Sequence, residues 1–125
     1  MAYVRDGRIV GGVERDAVPL TPAVFHILFA LAGGDKHGYE IARQVAEDSQ
    51  GRVTMGTGTL YGSIKRMLAD AVIEESGQRP APELDDDRRR YYRLTAQGRQ
   101  VLEAELQRYA RVVAVARRRD LLASA

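Results

Sequence analysis

Residues 57–71 read TGTLYGSIKRMLADA, and the two faces of this stretch decide the fold. Leu60, Ile64, Met67, Leu68 and Ala71 fall on one side at helical spacing, so a helix over Thr57–Ala71 has a core-facing stripe. The opposite side centres on Gly62 and Ala69, flanked by Gly58, Lys65 and Arg66, with Thr59 and Tyr61 nearer its edges. A merely solvated face is usually dressed in long charged side chains. Small residues ringed by hydroxyls and cations instead let another backbone come close.

Working outward, Leu20-Thr21-Pro22 is a strong helix start. Thr21 can cap free amides, Pro22 gives up no hydrogen bond at the first position, and Leu20 with Phe25 forms a hydrophobic staple. Val24, Ile27, Leu28 and Leu31 continue the pattern until Gly33-Gly34 stops it. A second helix is predicted from about Gly38 to Ser49 with a narrow stripe of Ile41, Ala42 and Val45. Beyond the third helix, residues 72–75 and 90–94 read as strands. Their connection carries Gly77, Pro80, Pro82 and the block Asp85-Asp86-Asp87-Arg88-Arg89-Arg90, too long for a tight turn. Tyr92 shares parity with Leu94 and is expected in the core, Tyr91 outward.

Thr95 then caps a last helix running to about Arg119. Leu102, Leu106, Tyr109, Val113 and Ala116 step by 4, 3, 4, 3, a heptad-like seam. A small three-helix core cannot cover so long a helix, so a partner chain is expected against it.

Helix, helix, helix, strand, loop, strand, helix is the order of a winged helix-turn-helix. The expected fold is mainly α with a small β-hairpin wing and a long C-terminal dimerisation helix. In that arrangement the third helix enters the major groove, and Thr57, Thr59, Tyr61 and Ser63 meet base edges near its N-terminal end. Gly62 permits close approach, while Lys65 and Arg66, one turn later, hold phosphates. Arg88, Arg89 and Arg90 bring cations to the backbone from the base of the wing. The domain plan is an arm over 1–19, a DNA-binding domain over 20–94 and the dimerisation helix over 95–125. Asp6-Gly7 favours a hairpin turn in the arm, but its flanks are too short to hold one alone.

Four motifs also resemble the PadR family of bacterial transcriptional regulators. They are Leu20-Thr21-Pro22, His37-Gly38-Tyr39-Glu40-Ile41, Thr59-Leu60-Tyr61 followed by Lys65-Arg66-Met67, and the run from Arg89 through Tyr91-Tyr92-Arg93-Leu94-Thr95 to Gly98. The resemblance spans roughly residues 20–119. It implies a homodimeric repressor on double-stranded DNA, with an inverted-repeat operator mirroring the two-fold axis. It also implies release by a small-molecule effector near the dimer interface, where Tyr109 is the one aromatic of the last helix. The departure is the acidic run Asp85–Asp87, where family wings carry a glycine turn.

Composition constrains the alternatives. No cysteine excludes disulfides and thiolate sites, and the absence of any apolar run near the ~20 residues of a membrane span points to the cytoplasm. The net charge is +2, and by segment it is −1 over 1–56, 0 over 57–93 and +3 over 94–125, so bulk charge names no partner. The acidic run lacks calcium-loop spacing, neither His26 nor His37 has a second ligand at metal spacing, and no cofactor motif is present. His26 and His37 read as packing or capping groups, and Tyr39 as a brace between the second and third helices, with a phosphate contact as the alternative. No acid, base and nucleophile are brought together, which argues against an enzyme. The competing reading is a dimeric ligand-binding or protein-interaction module of the same fold without DNA binding, motivated by the neutral 57–93 segment.

Overall fold

A computed structural model describes residues 19–77 and 89–123. Chain order is α1 (Pro22–Leu31), β1 (Lys36–His37), α2 (Gly38–Asp48), α3 (Thr57–Ala69), β2 (Ile73–Ser76), β3 (Tyr91–Leu94) and α4 (Ala96–Arg118). This is the expected mainly-α winged helix with a long C-terminal helix. The hairpin in the arm, Arg88 and the acidic run Asp85–Asp87 lie outside the described residues.

The helix boundaries follow local chemistry. Thr21 Oγ1 accepts a hydrogen bond from the Val24 amide at 3.2 Å, and Pro22 occupies the first turn of α1. His37 caps α2 reciprocally: its Nδ1 accepts from the Glu40 amide at 3.3 Å, while Glu40 Oε1 accepts from the His37 amide at 3.2 Å. Of the two roles open to His37, packing or capping, it takes both: it caps α2 and is itself buried. Helix α3 stops at Ala69, two residues before the predicted end, because Ala71 turns into the left-handed region at φ 63°. An alanine there carries no sequence signal, since that position is normally glycine.

The strands form one antiparallel sheet in the order β1-β3-β2, with Glu75 opposite Tyr92 and Lys36 opposite Tyr92 on the other side. Strand β1 was not anticipated; two residues are too few to show alternation. It explains why Tyr91, expected outward, is buried. The His37 ring stands edge-on to Tyr91 at 5.2 Å and covers it, while Tyr92 joins the main core as predicted.

Ile27, Leu28, Ile41, Val45, Ile64 and Met67 close the three-helix centre, and Val72, Ile73, Val101 and Leu102 extend it to the sheet and α4. The start of α4 is clamped on the α3–β2 turn. Thr95 Oγ1 donates to the Ala71 carbonyl at 2.7 Å, and a Cβ at Gly98 would collide with the Val72 carbonyl, so only glycine allows this approach. Among the described residues no helix is long and apolar enough to cross a membrane.

Candidate nucleic-acid interface

The outer face of α3 is open. Thr57, Gly58, Thr59, Gly62, Lys65 and Arg66 are exposed, Ser63 is half-buried, and Leu60, Ile64 and Met67 anchor the helix beneath. A Cβ built on Gly58 or Gly62 meets nothing within 4 Å. Internal packing therefore does not demand glycine at either position, and both leave the helix backbone bare to an approaching surface. No side chain caps the first turn of α3, whose N-cap is Gly56, so its leading amides and the positive helix end point outward. Among the described residues neither Lys65 nor Arg66 has an ion-pair partner.

Tyr61 is only half free, at 46% exposed. Its ring lies over the α2 start, where a Cβ on Gly38 would strike it. Tyr39, expected as a brace, is instead 68% exposed and stacks its ring beside His37 at 6.4 Å. The Arg43 guanidinium sits 5.7 Å from the Tyr39 ring centre. One helical turn apart on α2, Tyr39 and Arg43 form an exposed aromatic–cation pair beside α3. The exposure of Tyr39 favours the alternative of a phosphate contact over the brace, and the i, i+4 spacing of Tyr39 and Arg43 is the sequence signal for the pair.

The base of the wing looks different. Arg89 Nη1 lies 3.0 Å from His37 Nε2, which places the wing strand beside the α2 cap. Arg90 Nη1 reaches Glu75 Oε1 at 3.4 Å, and Arg93 Nε donates to Glu74 Oε2 at 2.8 Å, both across the β2–β3 pair. The Glu74 hydrogen bond raises the Arg93 pKa above its already high ordinary value. Burial, then the nearby Glu75 carboxylate, raises that of the Tyr92 phenol. Arg90 and Arg93 are thus partly neutralised within the sheet.

The predicted seam on α4 divides in two. Leu102 is 2% exposed inside the chain's own core, and Leu106 packs against the same cluster. Leu102 was expected against a partner chain, and its correction has a simple cause. The first turns of α4 lie on α1 and the sheet, which consume the near end of the seam. Past Tyr109 the helix emerges: Val112 is 66% exposed, and Val113, Val115 and Ala116 are half-buried. Arg108, Arg111, Val112, Val115, Ala116 and Leu121 line an open apolar groove of about 470 Å³.

Between the two halves sits a residue that periodicity missed. Glu105, one position before Leu106, is 1% exposed. Its carboxylate accepts from the Leu20 amide at 3.0 Å, from the Tyr109 hydroxyl at 3.1 Å and from the Arg108 guanidinium. The Tyr109 ring also packs on Phe25 with centres 5.0 Å apart. Burial first, and the bond to Glu105 second, push the Tyr109 phenol up to about 12. Among the described residues no group of three or more His, Cys, Asp or Glu could hold a metal ion.

Residues 27–104 match the model of the transcriptional regulator PadR-like family. A crystal structure of a PadR family transcription regulator from Clostridium difficile is 30% identical, covering 78% of this chain and 97% of that one, with a TM-score of 0.63. A transcriptional regulator from Clostridium thermocellum shares the fold at 23% identity and a TM-score of 0.59, over 77% of this chain and 87% of the other. A third structure, of Bordetella bronchiseptica BpsR and the regulation of its DNA binding by 6-hydroxynicotinic acid, is 25% identical with a TM-score of 0.57, over 77% and 64% of the two chains. An uncharacterized 37.1 kDa protein in transposon TN4556 of Streptomyces fradiae is 37% identical over 86 residues; these make up 69% of this chain but only 22% of that protein.

Proposed function

Because the chain belongs to the transcriptional regulator PadR-like family, we propose that it is a homodimeric, cytoplasmic repressor that reads an inverted-repeat operator through α3. The observation that carries this reading is the outer face of α3: bare glycines and hydroxyls at the centre, with Lys65 and Arg66 unpaired among the described residues at its rim. Thr57, Thr59 and Ser63 offer hydroxyls that accept from or donate to several base edges, and Thr methyls suit the thymine methyl. Tyr61, held over Gly38, presents its exposed edge to the groove margin. Lys65 and Arg66 take phosphates, and so does Arg43 from α2. Arg89 and Arg90, with Arg88 beyond the described residues, extend the backbone contact along the wing.

On this reading residues 20–94 form the DNA-binding domain and residues 95–125 the dimerisation helix. Only the far part of the seam, from Tyr109 through Val112, Val113 and Ala116, is left for a second copy. An effector that regulates DNA binding, as 6-hydroxynicotinic acid does for BpsR, would stack at Tyr109 and the exposed Phe29, both of which pack on Phe25.

Unbiased binding-site selection on duplex DNA, followed by titration of the selected site at two salt concentrations, tests the reading. Two half-sites about one helical turn apart are expected. Each phosphate contact steepens the log affinity against log salt by about one unit of slope. Enrichment of no sequence above bulk DNA would overturn the proposal.

A further inference from the structure

Helix α4 is fixed to the winged domain at two places, and they differ in kind. At its start, Thr95 and Gly98 sit on the Ala71–Val72 carbonyls. Two to three turns later the Glu105 carboxylate grips the Leu20 amide across the α1–α4 contact. Two of the three donors to that carboxylate, Arg108 and Tyr109, belong to α4 itself. Their bonds to the carboxylate stay within the helix, although the Tyr109 ring also rests on Phe25 of α1. The Leu20 amide is the donor that crosses between elements.

A carboxylate is a costly filling for a buried position, and its three donors serve first to offset that cost. Apolar surfaces, however, slide on one another, whereas a hydrogen bond to one backbone amide has a fixed length and direction. The geometry matters because α4 is long. With the first turn as pivot, a tilt of about 10° carries the Arg118 end of this 23-residue helix through about 6 Å. That exceeds the ~3.4 Å rise between neighbouring base pairs.

We infer that Glu105 is a positioning residue: by holding the Leu20 amide it fixes the direction in which α4 leaves the winged domain, and thereby the number of base pairs between operator half-sites. The inference rests on the proposed reading of α3 as the DNA-reading helix and of far α4 as the contact with a second copy.

The test compares the wild type with Glu105→Met, which keeps length but loses the acceptor, and with Glu105→Gln, which keeps an acceptor for the amide. Each is titrated on the selected half-sites set at spacers that differ by one base pair, and on an isolated half-site. The wild type and Glu105→Gln should share one sharp optimum. For Glu105→Met the preference for that optimum over a spacer two base pairs away should fall roughly tenfold, with half-site affinity unchanged. Should Glu105→Met fail to fold, Glu105→Asp, which withdraws the carboxylate by one methylene, makes the same comparison.

The chain has no cysteine, so spin labels at Ala69→Cys and Arg118→Cys, diluted with unlabelled protein, report the α3–α4 distance without DNA. It should be narrow in the wild type and broad in Glu105→Met. An unchanged spacer profile in Glu105→Met overturns the inference, as does an equal loss at every spacer and at the half-site. A wild type without any specific site fails the regulator reading instead. The spacing claim falls with it, and the label distance alone then shows whether the clasp still holds α4.

Discussion

Helices α3 and α4 are both buried along one side and bare along another, yet their bare surfaces are opposites. On α3 the exposed positions are glycines, threonines and two cations above a stripe of Leu60, Ile64 and Met67. On the far half of α4 they include Val112 and, just past its end, Leu121 and Leu122, bordered by arginines. A surface of small polar groups loses little when left in water and gains when a polyanion arrives. Large apolar side chains in a row lose free energy continuously until something covers them. Exposure alone therefore does not separate the two faces; the chemistry of what is exposed does.

The division within α4 predicts the largest effects. Leu102→Ala should lower the unfolding free energy by about 2–5 kcal/mol in urea titrations, because it empties a position inside the core. Val112→Glu should leave the helical circular dichroism intact at low temperature and return the mass of a single chain by light scattering. Its charge would stand in the middle of a desolvated apolar contact. A Leu102→Ala variant that loses less than about 1 kcal/mol, or a dimer that survives Val112→Glu, would erase the boundary between the two halves.

That boundary was only half legible in the sequence. The 4, 3, 4, 3 step from Leu102 to Ala116 is one unbroken apolar pattern, and nothing in it says where intrachain packing ends. The stop is set by the reach of α1 and the sheet, a tertiary property. Glu105 was illegible for a related reason: a charged residue beside a seam reads as solvated until a donor such as the Leu20 amide is brought to it from 85 residues away. By contrast the helix starts at Thr21, His37 and Thr95 rest on contacts within a few residues, and all three were readable. The two faces of α3 were readable too, since a helix carries its own periodicity. Tyr39 and the short β1 were misjudged or missed because their surroundings are assembled by β3 and the α2 cap.

A second contrast, between α3 and the wing, predicts smaller changes. Lys65→Ala and Arg66→Ala should each weaken operator and bulk DNA about equally and reduce the salt slope by about one unit, as lost phosphate contacts do. A changed base preference in either would move that side chain from the rim to the base edges. Glu74→Gln should act in the opposite direction. It frees Arg93 from its exposed partner and should strengthen binding at low salt by roughly two- to fivefold, the scale of a surface ion pair. If it does nothing, the β2–β3 wing base does not reach DNA, and α3 with Arg43 carries the backbone contact alone.

The smallest expected effect lies where the two halves of α4 meet. The Tyr109 phenol is pushed up to about 12 from an ordinary 10.0, first by burial and then by its bond to Glu105, with Arg108 opposing. The folded chain therefore keeps a proton that the unfolded chain releases as the pH rises from about 10 to about 12. The contribution of Tyr109 to stability is complete below pH 10 and declines across that window. Following phenolate absorbance, Tyr109→Phe should delete a late-ionising tyrosine, and the decline of the urea midpoint with alkaline pH should become shallower. Tyr92, also raised, remains as the internal comparison. If Tyr109→Phe leaves the alkaline decline as steep as before, the Glu105–Tyr109 contact does not persist in solution. The Leu20 amide and Arg108 would then hold the Glu105 carboxylate, and with it the near half of α4, without the Tyr109 hydroxyl.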